Sequence, residues 1–225
     1  MKKRQQELID YYEERASHYD EVYSGKSPDV PEPHVYIRDV ERISDICTRF
    51  GRGHLIDIGC GTCYWLPHYA KNCREVTLVD ESRNMLLACQ KRTNELPSDI
   101  DIHFIKGNFF HLRFLSKIFD TALIAFLISH LIEEDEQLFF KKIAEILKPK
   151  ADILWIDGSW SSVRRKYREK EGLQQRTLTD GQSFTIFKRY FGEQDIKVIS
   201  RRYSLLLRSL YMGDVFFAAH LALRH

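Results

Sequence analysis

The sequence has no long apolar run; its longest, near Thr121–Ile128 and Val215–Leu223, fall well short of a bilayer-spanning length. Met1 to Tyr12 is charged and lacks an apolar centre, so no secretory signal is expected there. An excess of charge of one sign is missing as well. The net charge is only +2, too small to imply nucleic-acid or membrane binding, and no basic stripe interleaved with aromatics suggests RNA tracking. Five cysteines, an odd number without the spacing of a disulfide scaffold, make a reducing cytoplasm the simplest setting. Repeats and low-complexity stretches are absent too. What remains is a soluble globular composition, 44% hydrophobic and 29% charged over 225 residues. That length suits a single α/β domain with a small appended lid.

Lys2 to Tyr23 carries Leu8, Ile9, Tyr12, Ala16, Tyr19 and Val22 at helical spacing, which predicts an amphipathic helix. Ser24 to Pro33 holds Gly25, Pro28, Pro31 and Pro33 and reads as a linker or hinge. A helix over His34–Phe50 follows, stopped by Gly51 and Gly53. Strands and helices then alternate. Strands are expected at His54–Ile58, Val76–Asp80, Ile102–Lys106, Phe119–Ala125 and Ile153–Asp157. Helices are expected at Tyr64–Lys71, Arg83–Leu96 (with Ser82 as N-cap) and Glu133–Leu147. This alternation predicts a parallel sheet covered on both faces, with sites at the strand C-termini. Beyond Asp157 the pattern changes. Ser161–Glu171 reads as a charged helix, a solvated face being favoured over an acidic-partner site, and Leu173–Thr179 and Ser183–Lys188 flank a hairpin turn at Asp180-Gly181. Two last strands, Tyr203–Leu210 and Val215–Leu223, turn at Met212-Gly213-Asp214.

The chemistry concentrates in His54–Trp65. An apolar strand runs into Asp57, and Gly59 and Gly61 then free the backbone at a helix start, where N–H groups face a ligand. Asp80 ends the next apolar run, nineteen residues after Gly61, where a carboxylate can bind ribose hydroxyls. The pair argues for a nucleoside-containing cofactor. The NAD fingerprint would need a third glycine where Tyr64 stands. Two other readings share these residues. Cys60 and Cys63 form a C-x-x-C redox candidate, and Cys60, Cys63, His68 and Cys73 have zinc-knuckle spacing. The hydrophobic strands on either side and the packing residues Trp65, Leu66, Tyr69 and Ala70 favour the nucleoside reading over both, and no metal is expected.

On these residues the chain resembles the class I S-adenosylmethionine-dependent methyltransferases. Asp57-Ile58-Gly59-Cys60-Gly61-Thr62 is similar to the family's first motif, Asp80 to its ribose-binding acid, and Gly107-Asn108-Phe109 to the loop bordering adenine. Phe119-Asp120 and Leu147-Lys148-Pro149 resemble later landmarks, so the likeness runs from about Leu55 to Gly158. Glu14-Arg15-Ala16 with Tyr19-Asp20, Ser129-His130, Asp157–Trp160 and the Arg176–Phe184 segment resemble a bacterial small-molecule methyltransferase subgroup. Cys63 stands where the family often has a third glycine, crowding the methionine end, and Asn108 where it often has aspartate.

The resemblance implies a seven-stranded Rossmann-like sheet, mostly parallel with an antiparallel last strand and helices on both faces. It implies one domain over 1–225: a lid and linker (1–33), a cofactor-binding core (34–160), and an acceptor-side helix, hairpin and final strands (161–225). S-adenosylmethionine is the implied cofactor and S-adenosylhomocysteine its product. Asp57, Gly59, Cys60, Gly61, Asp80, Glu81, Asn108, Phe109, Phe126 and Tyr19 are the implied cofactor residues. Phe126 and Leu127 should line the methyl-transfer face. His130 is the candidate base, against a helix-entry hydrogen bond as the bland alternative, and Tyr11, His18, Trp160 and Arg176 are weaker acceptor-lining candidates. Ala125–His130 lacks the Asn/Asp-Pro-Pro-aromatic turn of nucleobase N-methylation. A small-molecule O, N or C acceptor is therefore favoured over RNA or protein. The rival from another class is a non-catalytic cofactor-binding or regulatory protein.

Overall fold

The computed structural model describes residues 2–26, 31–94, 96–97, 99–178 and 180–224. A seven-stranded sheet dominates: β1 (Gly53–Ile58), β2 (Cys73–Asp80), β3 (Asp101–Lys106), β4 (Phe119–Ala125), β5 (Leu147–Gly158), β8 (Leu205–Met212) and β9 (Phe216–Leu223). Its order is β3-β2-β1-β4-β5-β9-β8. β9 runs antiparallel to both its neighbours, and the other strands share one direction. The expected class I sheet, with its antiparallel last strand, is present. The chain winds outward from β1 through β2 and β3, then returns to place β4 on β1's other side. That reversal opens a crevice beyond the C-terminal ends of β1 and β4, the usual ligand position in such sheets.

Parallel strands buried on both faces need nearly continuous apolar runs, and Leu55, Ile56 and Ile58 of β1 are fully buried. Alternate residues feed two cores. Leu55, Leu78 and Leu123 pack with α2 (Pro33–Cys47), α3 (Leu66–Tyr69) and α4 (Arg83–Thr93) on one face. Ile56, Ala122, Ile153 and Trp155 pack with α5 (Glu133–Ile146) and α7 (Glu193–Arg202) on the other. Ser82 caps α4 as expected, its hydroxyl accepting from Met85 N–H at 3.0 Å. Four acidic residues in the first turn of α5 oppose the positive end of its dipole.

Several boundaries differ from expectation. The first predicted helix is α1 (Lys2–Arg15) continued by a 3-10 segment, Ala16–Val22, and the predicted Tyr64–Lys71 helix is reduced to α3 and a 3-10 turn, Ala70–Asn72. The hinge read at Ser24–Pro33 falls largely on residues 27–30, which lie outside the described residues. The helix α7 had no counterpart in the sequence reading; its signal was Ile196 and Ile199 on one face, with Glu193 and Asp195 opening it and Arg201 and Arg202 closing it. Ser161–Glu171 is not a solvated helix. Only α6 (Ser162–Arg165) is helical, and Arg164 is buried at 5% exposure. Its guanidinium donates to the Val215 carbonyl and the Tyr36 hydroxyl and lies over the rings of Tyr36, Tyr167 and Tyr190, which offset its desolvation.

The predicted hairpin is present as β6 (Glu171–Thr177) and β7 (Ser183–Arg189), with Asp180 accepting from Gln182 N–H at 3.0 Å inside the turn. This two-stranded sheet is separate from the main one. α1 packs along β7, where Glu7 accepts from Thr185 N–H at 2.7 Å and Tyr11 meets Phe184 edge-on. The N-terminal segment is also tied to the core. Glu13 accepts from the Ser82 hydroxyl at 2.5 Å, and Asp20 accepts from the Thr62 hydroxyl and pairs with Arg92. Together these contacts hold α1 and the hairpin over the crevice.

Candidate active site

The turn after β1 places Gly59 at φ +68° and Gly61 at φ +55°, a left-handed backbone that glycine adopts without strain. Gly59 and Cys60 N–H both donate to the Val79 carbonyl, stitching the turn to the end of β2. Asp80 is held there by two backbone donors, Gly61 N–H and Ser82 N–H, each at 2.8 Å. Burial pushes its carboxyl up to about 6 despite those donors. Asp57, one turn deeper, accepts from the Tyr69 hydroxyl at 2.7 Å, and its other oxygen is buried without a partner. Burial, with the Asp80 charge adding to it, pushes Asp57 up to about 7.

Two cavities of comparable size lie beyond the strand ends. The first, about 790 Å³ with its mouth included, is bordered by Gly59, Gly61, Asp80, Glu81, Phe109 and Leu127. The second, about 700 Å³, is bordered by tyrosines of the N-terminal segment and by cations of the hairpin and the chain after β5. Tyr12, Tyr19, Phe126 and His130 belong to both linings and form the shared wall. Phe126 takes φ +57°, a costly conformation for a side chain with a Cβ, set at the end of β4 where the cavities meet.

His130 closes a short 3-10 turn, Ile128–His130. Its Nδ1 is 2.8 Å from the Phe187 carbonyl, which can only accept, so Nδ1 carries the proton. Nε2 therefore accepts from the Tyr12 hydroxyl at 2.7 Å. Burial, then the Lys188 charge, holds the imidazole well below its ordinary value, so it stays neutral. Burial holds the Tyr12 phenol well above its own. Lys188 of β7 is buried beside them, donating to the Ser129 hydroxyl at 2.5 Å and lying 3.4 Å from Asp157. Arg176 of β6 donates to Gln174 at 2.7 Å and to the Tyr190 hydroxyl at 3.1 Å.

Of the predicted residues, Gly59, Gly61, Asp80, Glu81, Phe109, Phe126 and Tyr19 border the first cavity, and Tyr11 and Arg176 the second. Others do not reach a wall. Asp57 and Cys60 lie buried behind the turn, and the Asn108 side chain is occupied by Glu81 and by Phe110 N–H. His18 faces solvent beside Glu21, and Trp160 stacks on Tyr190 without bordering the cavity. Tyr36, Arg164 and Lys188 were missed, and Tyr12 was placed only on the apolar face of the first helix. Period-two alternation along β7 puts Lys188 on the side of Ile186, which was the available signal for it.

The cysteine readings are corrected. Cys63 is bonded to Cys89 of α4, not to Cys60, so the C-x-x-C is not the redox pair. Cys63 is buried by that bond and borders neither cavity, so it does not crowd the crevice. The sulfurs of Cys60, Cys63 and Cys89 cluster within 4.8 Å of one another, without His68 or Cys73, and so the zinc-knuckle set is not assembled.

Residues 55–150 match the family described as "Methyltransferase domain". The chain has the fold of the class I S-adenosylmethionine-dependent methyltransferases, and residues 55–150 are similar to a methyltransferase domain. A Geobacillus sp. (strain WCH70) protein, named only provisionally as a methyltransferase, is 32% identical over 101 residues, 44% of this chain and 40% of its own length. The match thus spans less than half of that curated relative. The DhpI–SAM–HEP complex superposes with a TM-score of 0.76 at 21% identity, covering 97% of both chains. The glycopeptide N-methyltransferase MtfA complexed with S-adenosylmethionine gives a TM-score of 0.61 at 16% identity, over 81% of this chain and 92% of its own. The glycines and the acid of the first cavity fit S-adenosylmethionine. The turn exposes backbone without Cβ atoms, and Asp80 sets a carboxylate on the same wall. Among the described residues no helix is long and apolar enough to cross a membrane.

Proposed function

We propose that this methyltransferase moves a methyl group from S-adenosylmethionine to a small-molecule acceptor in the second cavity. The observation that carries this reading is the wall shared by the two cavities, Tyr12, Tyr19, Phe126 and His130. It brings two compartments into contact at the ends of β1 and β4. The covering by α1 and the hairpin favours a small acceptor over a polymer. The neighbours named as a DhpI–SAM–HEP complex and a glycopeptide N-methyltransferase lend support.

When bound, the cofactor supplies an electrophilic methyl on a sulfonium. Asp80 takes the ribose hydroxyls, the Gly59–Gly61 turn borders the methionine part with Asp57 buried behind it, and Phe109 takes an adenine face. Asn108 serves by holding Glu81. Residues 1–33 act as the lid, 34–160 as the cofactor core and 161–225 as the acceptor side. In-line displacement depends mainly on placing the nucleophile, and the neutral His130 orients Tyr12 for that purpose. Lys188 and Arg176 disfavour an imidazolium at His130, which makes it a positioning residue more than a strong base.

Calorimetry with S-adenosylmethionine and S-adenosylhomocysteine tests the reading. Both should bind, and Asp80→Ala should weaken them by about 1–3 kcal/mol through lost hydrogen bonds. A folded protein that binds neither would overturn it.

A further inference from the structure

The second cavity has a sign. Arg15, Arg164, Arg168, Arg176 and Lys188 border it, and among the described residues no Asp or Glu does. The nearest buried carboxylate, Asp157, lies behind Lys188 and already accepts from Ser129 N–H and Gly158 N–H. The hydrogen-bond partners of Arg164 and Arg176 are neutral hydroxyl, amide and carbonyl oxygens, so neither guanidinium has its charge cancelled by them. The first cavity is the reverse: Asp80 and Glu81 border it, and among the described residues no Lys or Arg does. Tyr190 reports the same field. Burial pushes its phenol up, yet Arg164, Arg176, Lys188 and Arg168 together bring it below its ordinary value.

A partly buried pocket with a cationic excess disfavours a cationic guest and favours an anion. Planar guanidinium forks match oxyanions in geometry as well as charge. We infer that the methyl acceptor carries an oxyanion, a carboxylate or a phosphoryl group, seated among Arg176, Arg164 and Lys188 and facing the Tyr12–His130 wall. This rests on the methyltransferase reading of the two cavities and adds the acceptor's chemical class.

The test uses the full chain saturated with S-adenosylhomocysteine, whose own binding is measured first. Sodium acetate and inorganic phosphate are then titrated calorimetrically up to tens of millimolar, with acetamide as the neutral control. At least one oxyanion should bind and acetamide should not; the arm that binds identifies carboxylate or phosphoryl recognition. Arg176→Gln should weaken that binding roughly tenfold while leaving S-adenosylhomocysteine affinity in place. Added sodium chloride should weaken it further. Normal S-adenosylhomocysteine binding with neither oxyanion bound, or with acetamide bound equally well, would overturn the oxyanion inference and leave the methyltransferase reading standing. Loss of S-adenosylhomocysteine binding in the unaltered protein would instead count against that reading.

Discussion

The first cavity is framed by the ends of β1, β2 and β4 and bears the carboxylates Asp80 and Glu81; the second is framed by α1, the hairpin and the turn after β5 and bears five cations. One is made by the sheet itself, the other by pieces laid over it. The difference teaches that a fold can supply one site from its topology and leave the second to appended segments. A constant cofactor needs a constant crevice, whereas the acceptor is chosen by whatever closes over it.

The contrast should appear as opposite responses to pH. Asp57 and Asp80 have carboxyls raised to about 7 and about 6, so their contribution to stability is full below pH about 4 and is lost as pH rises through those values. His130, held low by burial and by Lys188, works the other way: once pH falls below about 6.5 the unfolded chain takes up a proton that the native imidazole refuses. Urea unfolding from pH 4 to 8 should therefore show a slope of about 1.4 kcal/mol per pH unit for each group where it titrates alone. Asp57→Asn should remove part of the loss at rising pH, and His130→Gln part of the loss at falling pH. If either variant leaves the profile unchanged, that half of the contrast is broken.

A smaller separation comes from the disulfide. Cys63 and Cys89 join the turn beyond Gly61 to α4 across 26 residues, so Cys89→Ala should cost about 2–4 kcal/mol in urea. Its effect should fall on S-adenosylhomocysteine affinity and leave the second cavity's anion binding intact. The smallest expected effect is at the wall between them. Tyr12→Phe keeps the ring but leaves His130 Nε2 without its donor, at a cost of about 1 kcal/mol. The ring ¹⁵N signal of His130 Nε2 should shift, and an unmoved signal would deny the hydrogen bond.

Much of the fold was legible because parallel strands announce themselves. Each central strand is an apolar run that ends in, or is followed by, an acidic residue, a glycine or an aromatic. The first cavity was legible for the same reason: Gly59, Gly61, Asp80 and Phe126 lie at or next to strand ends, where local order fixes position. Asp57 and Cys60 belong to the same motif but point into the core, a distinction that depends on which face of the turn packs.

The second cavity was largely illegible. Arg164 reads as one more surface charge in Ser161–Glu171, and only the tyrosines gathered from α2, β7's end and the segment after α6 make its burial tolerable. Lys188 looks like an edge-strand lysine until the hairpin docks against Ser129 and Asp157. Cys63 looked like a partner for Cys60 because the two are close in sequence; α4 brought Cys89 closer in space. Periodicity and the residues at strand ends thus determined the sheet, the glycine turn and the acid beside it, since those depend on neighbours along the chain. The sign of the second cavity, the Tyr12–His130 contact and the cysteine pairing were decided only in three dimensions, because each joins residues that are separated by tens of positions and become neighbours when the elements pack.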